Sequence, residues 1–329
     1  MRMLEEVETL ETVYPETVEF ADQAMKIFWL PDEIKVEKDL QDALVNMSEA
    51  EKHGVITTLK LFSLYELKAG AGYWNGWVMN TFKRPEFQRM ASVFGMFELA
   101  VHKPFYTKLN ELLHLDSDEF YLSYHDNEVL ARRMASIETI LRSDMIPLVI
   151  AGMSMIEGAV LYSSFAFLKH FQSAGKNKLM NVVRGINFSV RDENIHSMAG
   201  AWMFKQFLAE CNYSDEALAH LKRSIELLAK EIYEHECEIV DMTFEKGSIE
   251  GITAKQMKHF VESRINICMN QLGYGKMFEV DYNPVAKWFY EGINGFTFND
   301  QFSGVGAQYH RNWDETAFKY EEYENGLHT

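Results

Sequence analysis

Arg191-Asp192-Glu193-Asn194-Ile195-His196 sets a carboxylate and an imidazole three residues apart in a stretch that reads as helix. Residues at i and i+3 project from one helix face, so Glu193 and His196 form half of a metal site. One Glu-x-x-His arises by chance on many solvated helices; the rest of the chain gives it weight. Glu66, Glu98, His102 and Glu157 lie in long, mostly apolar helical segments. Glu157 stands in Met153-Ser154-Met155-Ile156-Glu157-Gly158-Ala159-Val160-Leu161, with almost no other charge nearby. A lone buried carboxylate is costly unless it is paired, protonated or bound to a metal. Several of them in one chain imply a shared partner. A helix-built dimetal site takes one acid from each of two helices and a Glu/His pair from each of two others. Glu66 and Glu157 suit the first role, Glu98 with His102 and Glu193 with His196 the second. Such an oxygen-rich set with two imidazoles suits Fe(II) or Mn(II) better than zinc or copper.

These ligands need helices to hold them. Apolar residues recur at three- and four-residue spacings along most of the chain, without convincing strand alternation. The pattern predicts a short helix over 36–47, then helices near 49–69, 85–113, 118–142, 144–171, 176–209, 214–246 and 253–272. Residues 1–28 read as irregular, and 274–295 as mixed. Ser48-Glu49-Ala50-Glu51 reads as a capping box, and Gly70-Ala71-Gly72 as a stop or bend. The expected architecture is an all-α, ferritin-like helical bundle over 1–295 and a flexible tail over 296–329, rich in Gly, Asn and charge.

At 329 residues and 47% hydrophobic content the chain can bury a substantial core. Its net charge of −17 argues against nucleic acid as a partner. Cys211, Cys237 and Cys268 are scattered with no CxxC, which fits reduced thiols in the cytoplasm. No signal peptide is recognisable, and the apolar run 145–168 carries Glu157 in its middle, so no membrane span is expected.

With these residues in view, the chain resembles the small, radical-generating subunit of class I ribonucleotide reductase over about Phe28–Tyr309. The motif Arg191-Asp192-Glu193-Asn194-Ile195-His196 is similar to that family's Arg-Asp-Glu-x-x-His. Glu157 ahead of Ser164-Phe165-Ala166-Phe167, Glu66 in Phe62-Ser63-Leu64-Tyr65-Glu66, and Tyr106 four residues after His102 complete the likeness. The resemblance implies an oxidoreductase subunit with two metal ions per chain. Iron is the first expectation, with manganese or a mixed pair as alternatives. Glu66, Glu98 and His102 would hold one ion, and Glu157, Glu193 and His196 the other. Tyr106 would carry the radical. Trp29 and Asp192 would relay it, with Asp192 also bonding His102. Tyr309 is the first choice for a tail relay, with Tyr320 and Tyr323 as alternatives. The implied partners are a second copy of the chain, a large catalytic subunit docked by the tail, and an optional flavoprotein activase.

One departure stands out. The family spaces its first pair as Glu-x-x-His, whereas Glu98 lies four residues before His102. One inserted residue is commonly absorbed as a π-bulge. Pro104 supports a disturbed helix here, since it lacks an N–H and clashes with the carbonyl four residues back. Leu161 and Phe165 are placed to shield the site, while Ser189, one turn before Glu193, is an unexpectedly polar choice that would admit water. Glu231, Glu234, His235 and Glu238 also share a helix face but read as solvated. The main competing function is a related ferritin-like dimetal oxidase acting on a bound small molecule. A non-enzymatic metal-storage or partner-binding bundle is another, and it leaves Tyr106 unexplained.

Overall fold

The computed structural model describes residues 2–9 and 11–294. Tyr309, Tyr320, Tyr323 and the whole expected tail lie outside the described residues. Among the described residues thirteen α-helices run in chain order: α1 Pro15–Lys26, α2 Glu49–Leu67, α3 Met79–Thr81, α4 Pro85–Met96, α5 Lys103–Leu112, α6 Asp118–Leu122, α7 Glu128–Leu141, α8 Ile146–Ala159, α9 Tyr162–Lys169, α10 Met180–Glu210, α11 Asp215–Thr243, α12 Ala254–Gln271 and α13 Pro284–Asn294. The described residues contain no strand, only one isolated bridge between Ile249 and Ile252. The all-α expectation holds.

Two helices differ in kind from the rest. α2 does not stop at Gly70-Ala71-Gly72; it continues as a π-helix over Lys68–Val78 into α3. The missing side chain at Gly70 matters here: a Cβ would lie 2.8 Å from the Glu98 Cβ. Likewise α4 passes into α5 through a π stretch at Phe97–His102. Pro104 sits in the first turn of α5, where its missing N–H and its ring favour the wider turn behind it.

The pair α8 and α10 is packed by small residues. Ser154 Oγ donates to the Ser197 carbonyl at 2.8 Å, and Ser197 Oγ donates back to the Ser154 carbonyl at 2.9 Å. A Cβ on Gly158 would come within 2.3 Å of Ser197 Oγ, and one on Gly200 within 2.9 Å of Ser154 Cβ. The two backbones therefore approach closely in a single register, which fixes Glu157 on α8 relative to Glu193 and His196 on α10.

Three expectations need correction. The first 28 residues are irregular only in part: after a mostly irregular start, α1 turns Thr17, Ala21 and Ala24 inward. These small residues carry little hydrophobic signal yet allow close packing. The expected helix over 144–171 breaks at Val160–Leu161, where Leu161 adopts φ +72. That conformation costs a non-glycine residue about 1–2 kcal/mol. Arg264 caps the break, its Nε donating to the Gly158 carbonyl at 2.9 Å. The expected helix over 118–142 is divided between α6 and α7. The stretch Ile146–Ser173 is long and apolar enough to cross a membrane, but 89% of its most apolar window is buried in the protein. It is a core element.

Candidate metal centre

Glu66 comes from the last turn of α2, Glu98 and His102 from the π stretch, Glu157 from the last turn of α8, and Glu193 and His196 from the middle of α10. All six side chains are buried. They form two groups of mutually close ligand atoms: Glu66, Glu98, His102 and Glu193, and Glu98, Glu157, Glu193 and His196. Glu98 and Glu193 belong to both groups, so the six residues are not two separate triads. His102 Nδ1 lies 3.0 Å from Glu98, 3.2 Å from Glu193 and 3.4 Å from Glu66. His196 Nδ1 lies 2.7 Å from Glu98, 3.6 Å from Glu193 and 3.8 Å from Glu157. The π stretch lets Glu98 face one imidazole with each oxygen, which the four-residue spacing alone does not specify.

Charge in this cluster is unbalanced. Burial pushes Glu66 well above the usual carboxylate range, and the neighbouring Glu98 adds to it. Burial does the same to Glu157, helped by Glu193 and Glu98. Glu98 is held well below that range because His102, Glu66 and His196 outweigh its burial. Burial opposes the charged form of both imidazoles, but the carboxylates around them, Glu98 foremost by charge, hold both well above the ordinary histidine value. Glu66 Oε1, Glu98 Oε1, Glu193 Oε2 and both ring nitrogens of His196 make no hydrogen bond. Orphaned buried polar atoms need a partner. Four carboxylates with two neutral imidazoles balance two divalent cations, so the residues fit a metal pair. A cavity of about 20 Å³ beside them is lined by Glu66, Glu98, Glu157, Val160, Leu161 and Glu193, among others. It has room for about one water-sized molecule.

The surroundings treat the two imidazoles differently. His102 Nε2 donates to Asp192 Oδ2 at 2.9 Å, and the same oxygen accepts from Trp29 Nε1 at 2.8 Å. This fixes the tautomer and turns Nδ1 toward the carboxylates. Trp29 is fully buried, its ring stacked 6.1 Å from His102, and the chain reaches the surface at Leu30. His196 lacks such a link; its side of the centre is anchored through Glu157, which accepts from Trp74 Nε1 at 2.8 Å. Trp74 was not anticipated from the sequence. Its only signal there is a tryptophan eight residues after Glu66, in a segment that a helix stop at Gly70 would have turned away.

Tyr106 is fully buried on α5. Its ring stacks on Phe62 at 4.5 Å, and Phe62 stacks on Phe165 at 5.3 Å. Phe165 thus adds to an apolar wall behind the phenol, and Leu161 lines the cavity. Ser189 does not open the pocket to water. It is fully buried, and its Oγ accepts the Tyr106 hydroxyl at 3.0 Å. The Glu231–Glu238 face is not wholly solvated either: His235 is buried and accepts from Arg132 Nε at 3.0 Å.

Comparison with known proteins agrees with this geometry. Residues 7–284 match the family model described as ribonucleotide reductase, small chain. The chain is 24% identical over 316 residues to a probable ribonucleoside-diphosphate reductase small subunit of Invertebrate iridescent virus 3, covering 90% of this chain and 82% of that one. It is 26% identical over 302 residues to the ribonucleoside-diphosphate reductase subunit beta of Bacillus subtilis, covering 88% and 87%. Among solved structures, the dimanganese(II)-NrdF of Streptococcus sanguinis superposes with a TM-score of 0.75 at 19% identity, covering 86% of this chain and 98% of that one. The R2 subunit of Clostridium botulinum ribonucleotide reductase gives 0.73 at 16% identity, covering 85% and 88%. A family match across most of the chain, together with the ferritin-like fold, makes this protein a member of the ribonucleotide reductase small-chain family.

Proposed function

We propose that this small subunit binds two metal ions in the Glu66/Glu98/His102/Glu157/Glu193/His196 cluster, forms a radical on Tyr106 and passes it to a large catalytic subunit that reduces ribonucleotides. The observation that carries the reading is the pair of interlocked, fully buried ligand groups, joined through His102 and Asp192 to Trp29. When bound, the metal pair supplies redox chemistry with oxygen. The chain's own residues do the rest. Glu98 and Glu193, members of both ligand groups, would contribute to holding both ions, while Asp192 aims His102 and Trp74 aims Glu157. Phe62 and Phe165 exclude water from Tyr106. Asp192 Oδ2, shared by an indole and an imidazole, offers a hydrogen-bonded route for an electron and a proton between the centre and Trp29. Tyr309 continues that route toward the large subunit. Iron is the first choice of metal, and manganese is supported by the dimanganese content of the S. sanguinis relative. A homodimer, a flavoprotein activase where manganese is used, and a cytoplasmic setting for the three free thiols complete the reading.

The competing oxidase reading needs space for an organic substrate, and a cavity of about 20 Å³ offers little. The deciding experiment loads the protein with Fe(II) or Mn(II), exposes it to oxygen, and measures metal content and the EPR spectrum beside Tyr106→Phe. About two metals per chain and a tyrosyl signal absent from the variant are expected. Two metals without any tyrosyl signal would overturn the radical assignment. Deleting 305–329 should abolish nucleotide reduction while metal content stays at two. Reduction that survives the deletion would remove the tail from the route.

A further inference from the structure

We infer that Ser189 is a positioning residue for Tyr106: it holds the phenol hydroxyl before oxidation and becomes the hydrogen-bond donor to the phenoxyl oxygen afterwards.

The geometry leaves Tyr106 few choices. Its ring is walled by Phe62 and contacts Phe105 at 5.1 Å. Among the described residues, the only hydrogen bond from its hydroxyl runs to Ser189 Oγ. Ser189 is itself 0% exposed, so no solvent competes for that bond. A buried hydroxyl left without a partner is costly, and this bond therefore sets the direction of the phenolic O–H. Ser189 draws the hydroxyl hydrogen to itself. It does so from α10, the helix that also supplies Asp192, Glu193 and His196, so any shift of that helix moves ligand, relay and phenol partner together.

The inference rests on the preceding reading for its redox half. Oxidation removes one electron and one proton from Tyr106. The metal pair that the six ligands would hold, activated by oxygen, would supply the oxidant that takes up the electron. Oxygen, the terminal oxidant, would take up the proton as it is reduced. The phenoxyl oxygen left behind can only accept. A serine hydroxyl both donates and accepts and rotates freely about its C–O bond, so Ser189 reverses its role without moving its oxygen. An apolar side chain at this position has no means of doing so.

The first test uses metal-free protein and does not depend on radical formation. Ultraviolet resonance Raman difference spectra, wild type minus Tyr106→Phe, isolate the Tyr106 phenol bands. They should report a hydrogen-bond donor in wild type and in Ser189→Thr, which keeps the hydroxyl, and a free phenol in Ser189→Ala. Bands unmoved in Ser189→Ala would overturn the inference. The second test reads the radical. Wild type should show a proton hyperfine coupling that disappears in D2O, and a depressed largest g value. Ser189→Ala should lose both, and its radical should decay about fivefold faster, the equivalent of about 1 kcal/mol at 1.4 kcal/mol per tenfold. An unchanged exchangeable coupling in Ser189→Ala would assign the donor elsewhere. If wild type forms no tyrosyl radical, the radical-storage reading fails, while the metal-free spectra still decide whether Ser189 holds the phenol.

Discussion

The two halves of the centre are built by opposite means. Glu157, Glu193 and His196 stand on α8 and α10, where small residues and two reciprocal serine bonds lock one register. Glu98 and His102 both lie inside a π stretch, and Glu66 stands in the last turn of α2, directly before another. The half on α8 and α10 carries the imidazole with no hydrogen bond, His196. The π-built half carries the imidazole wired to Asp192 and Trp29. Close packing and connection are thus separated: one half is packed in a single register, and the other links the centre toward the surface.

Removing the shared carboxylates tests this comparison most severely. Glu98→Ala or Glu193→Ala should leave close to no bound metal, because both ligand groups lose a member. Glu66→Ala or Glu157→Ala should retain about one ion. Elemental analysis after Fe(II) or Mn(II) loading reads the difference. The same variants should lose the thermal shift on loading, worth about 2.7 kcal/mol at a hundredfold excess over Kd. Equal losses across all four would mean that Glu98 and Glu193 do not join the halves.

The anchors come next. Asp192→Asn on the π-built side and Trp74→Phe on the other should each weaken metal binding by about 10–100-fold, the usual effect of losing a residue that orients a ligand. Only Asp192→Asn should also cut nucleotide reduction beyond what its metal content explains. Activity normalised to bound metal separates the two, and parallel losses would take Trp29 out of the relay.

Glycine substitutions sharpen the contrast in stability. Gly158→Ala drives a methyl against Ser197 Oγ and Cys268 Sγ in the locked half and should cost about 1–3 kcal/mol in urea unfolding. Gly70→Ala meets Glu98 Cβ and Leu99; the wider turn can yield, so it should cost less stability but more metal affinity. The reverse ranking would show that the π stretch is the stiffer element.

The smallest effect is a control outside both halves. Burial lowers His170 to about 4, against the hydrogen bond its Nδ1 makes to the Phe167 carbonyl. A folded value below the ordinary 6.5 means that its contribution is present above about pH 6.5 and is lost as the pH falls toward 4. His170→Gln should therefore reduce the wild type's loss of stability between pH 7 and pH 5 by about 1–2 kcal/mol, with metal affinity at pH 7 unchanged. A matching acid limb in both proteins would show that His170 does not titrate in that window.

Much of the centre was legible because helical periodicity is local. Glu193 and His196 share a face at any i, i+3 spacing, and Glu157 stands out as the lone charge in an apolar run. The extra residue before His102, read with Pro104, pointed to a widened turn, and the structure has a π stretch there. Other features were hidden for equally physical reasons. α1 buries Thr17, Ala21 and Ala24, too small to mark a hydrophobic face. Leu161 breaks a run whose composition is mostly apolar on both sides of it, and the cap that holds the break comes from Arg264, more than a hundred residues on. Ser189 looked like an opening for water; its partner, Tyr106, is 83 residues away.

Residue type and spacing alone determined that this chain folds as helices with buried carboxylates and imidazoles, because both follow from periodicity within a few turns and from the cost of burying charge. Tertiary structure decided how those residues are shared. It placed Glu98 and Glu193 between the two ligand groups, turned Trp74 onto Glu157, and set Ser189 against Tyr106. Each of these depends on the register between helices distant in sequence, which is fixed by backbone contacts and close packing that no local pattern encodes.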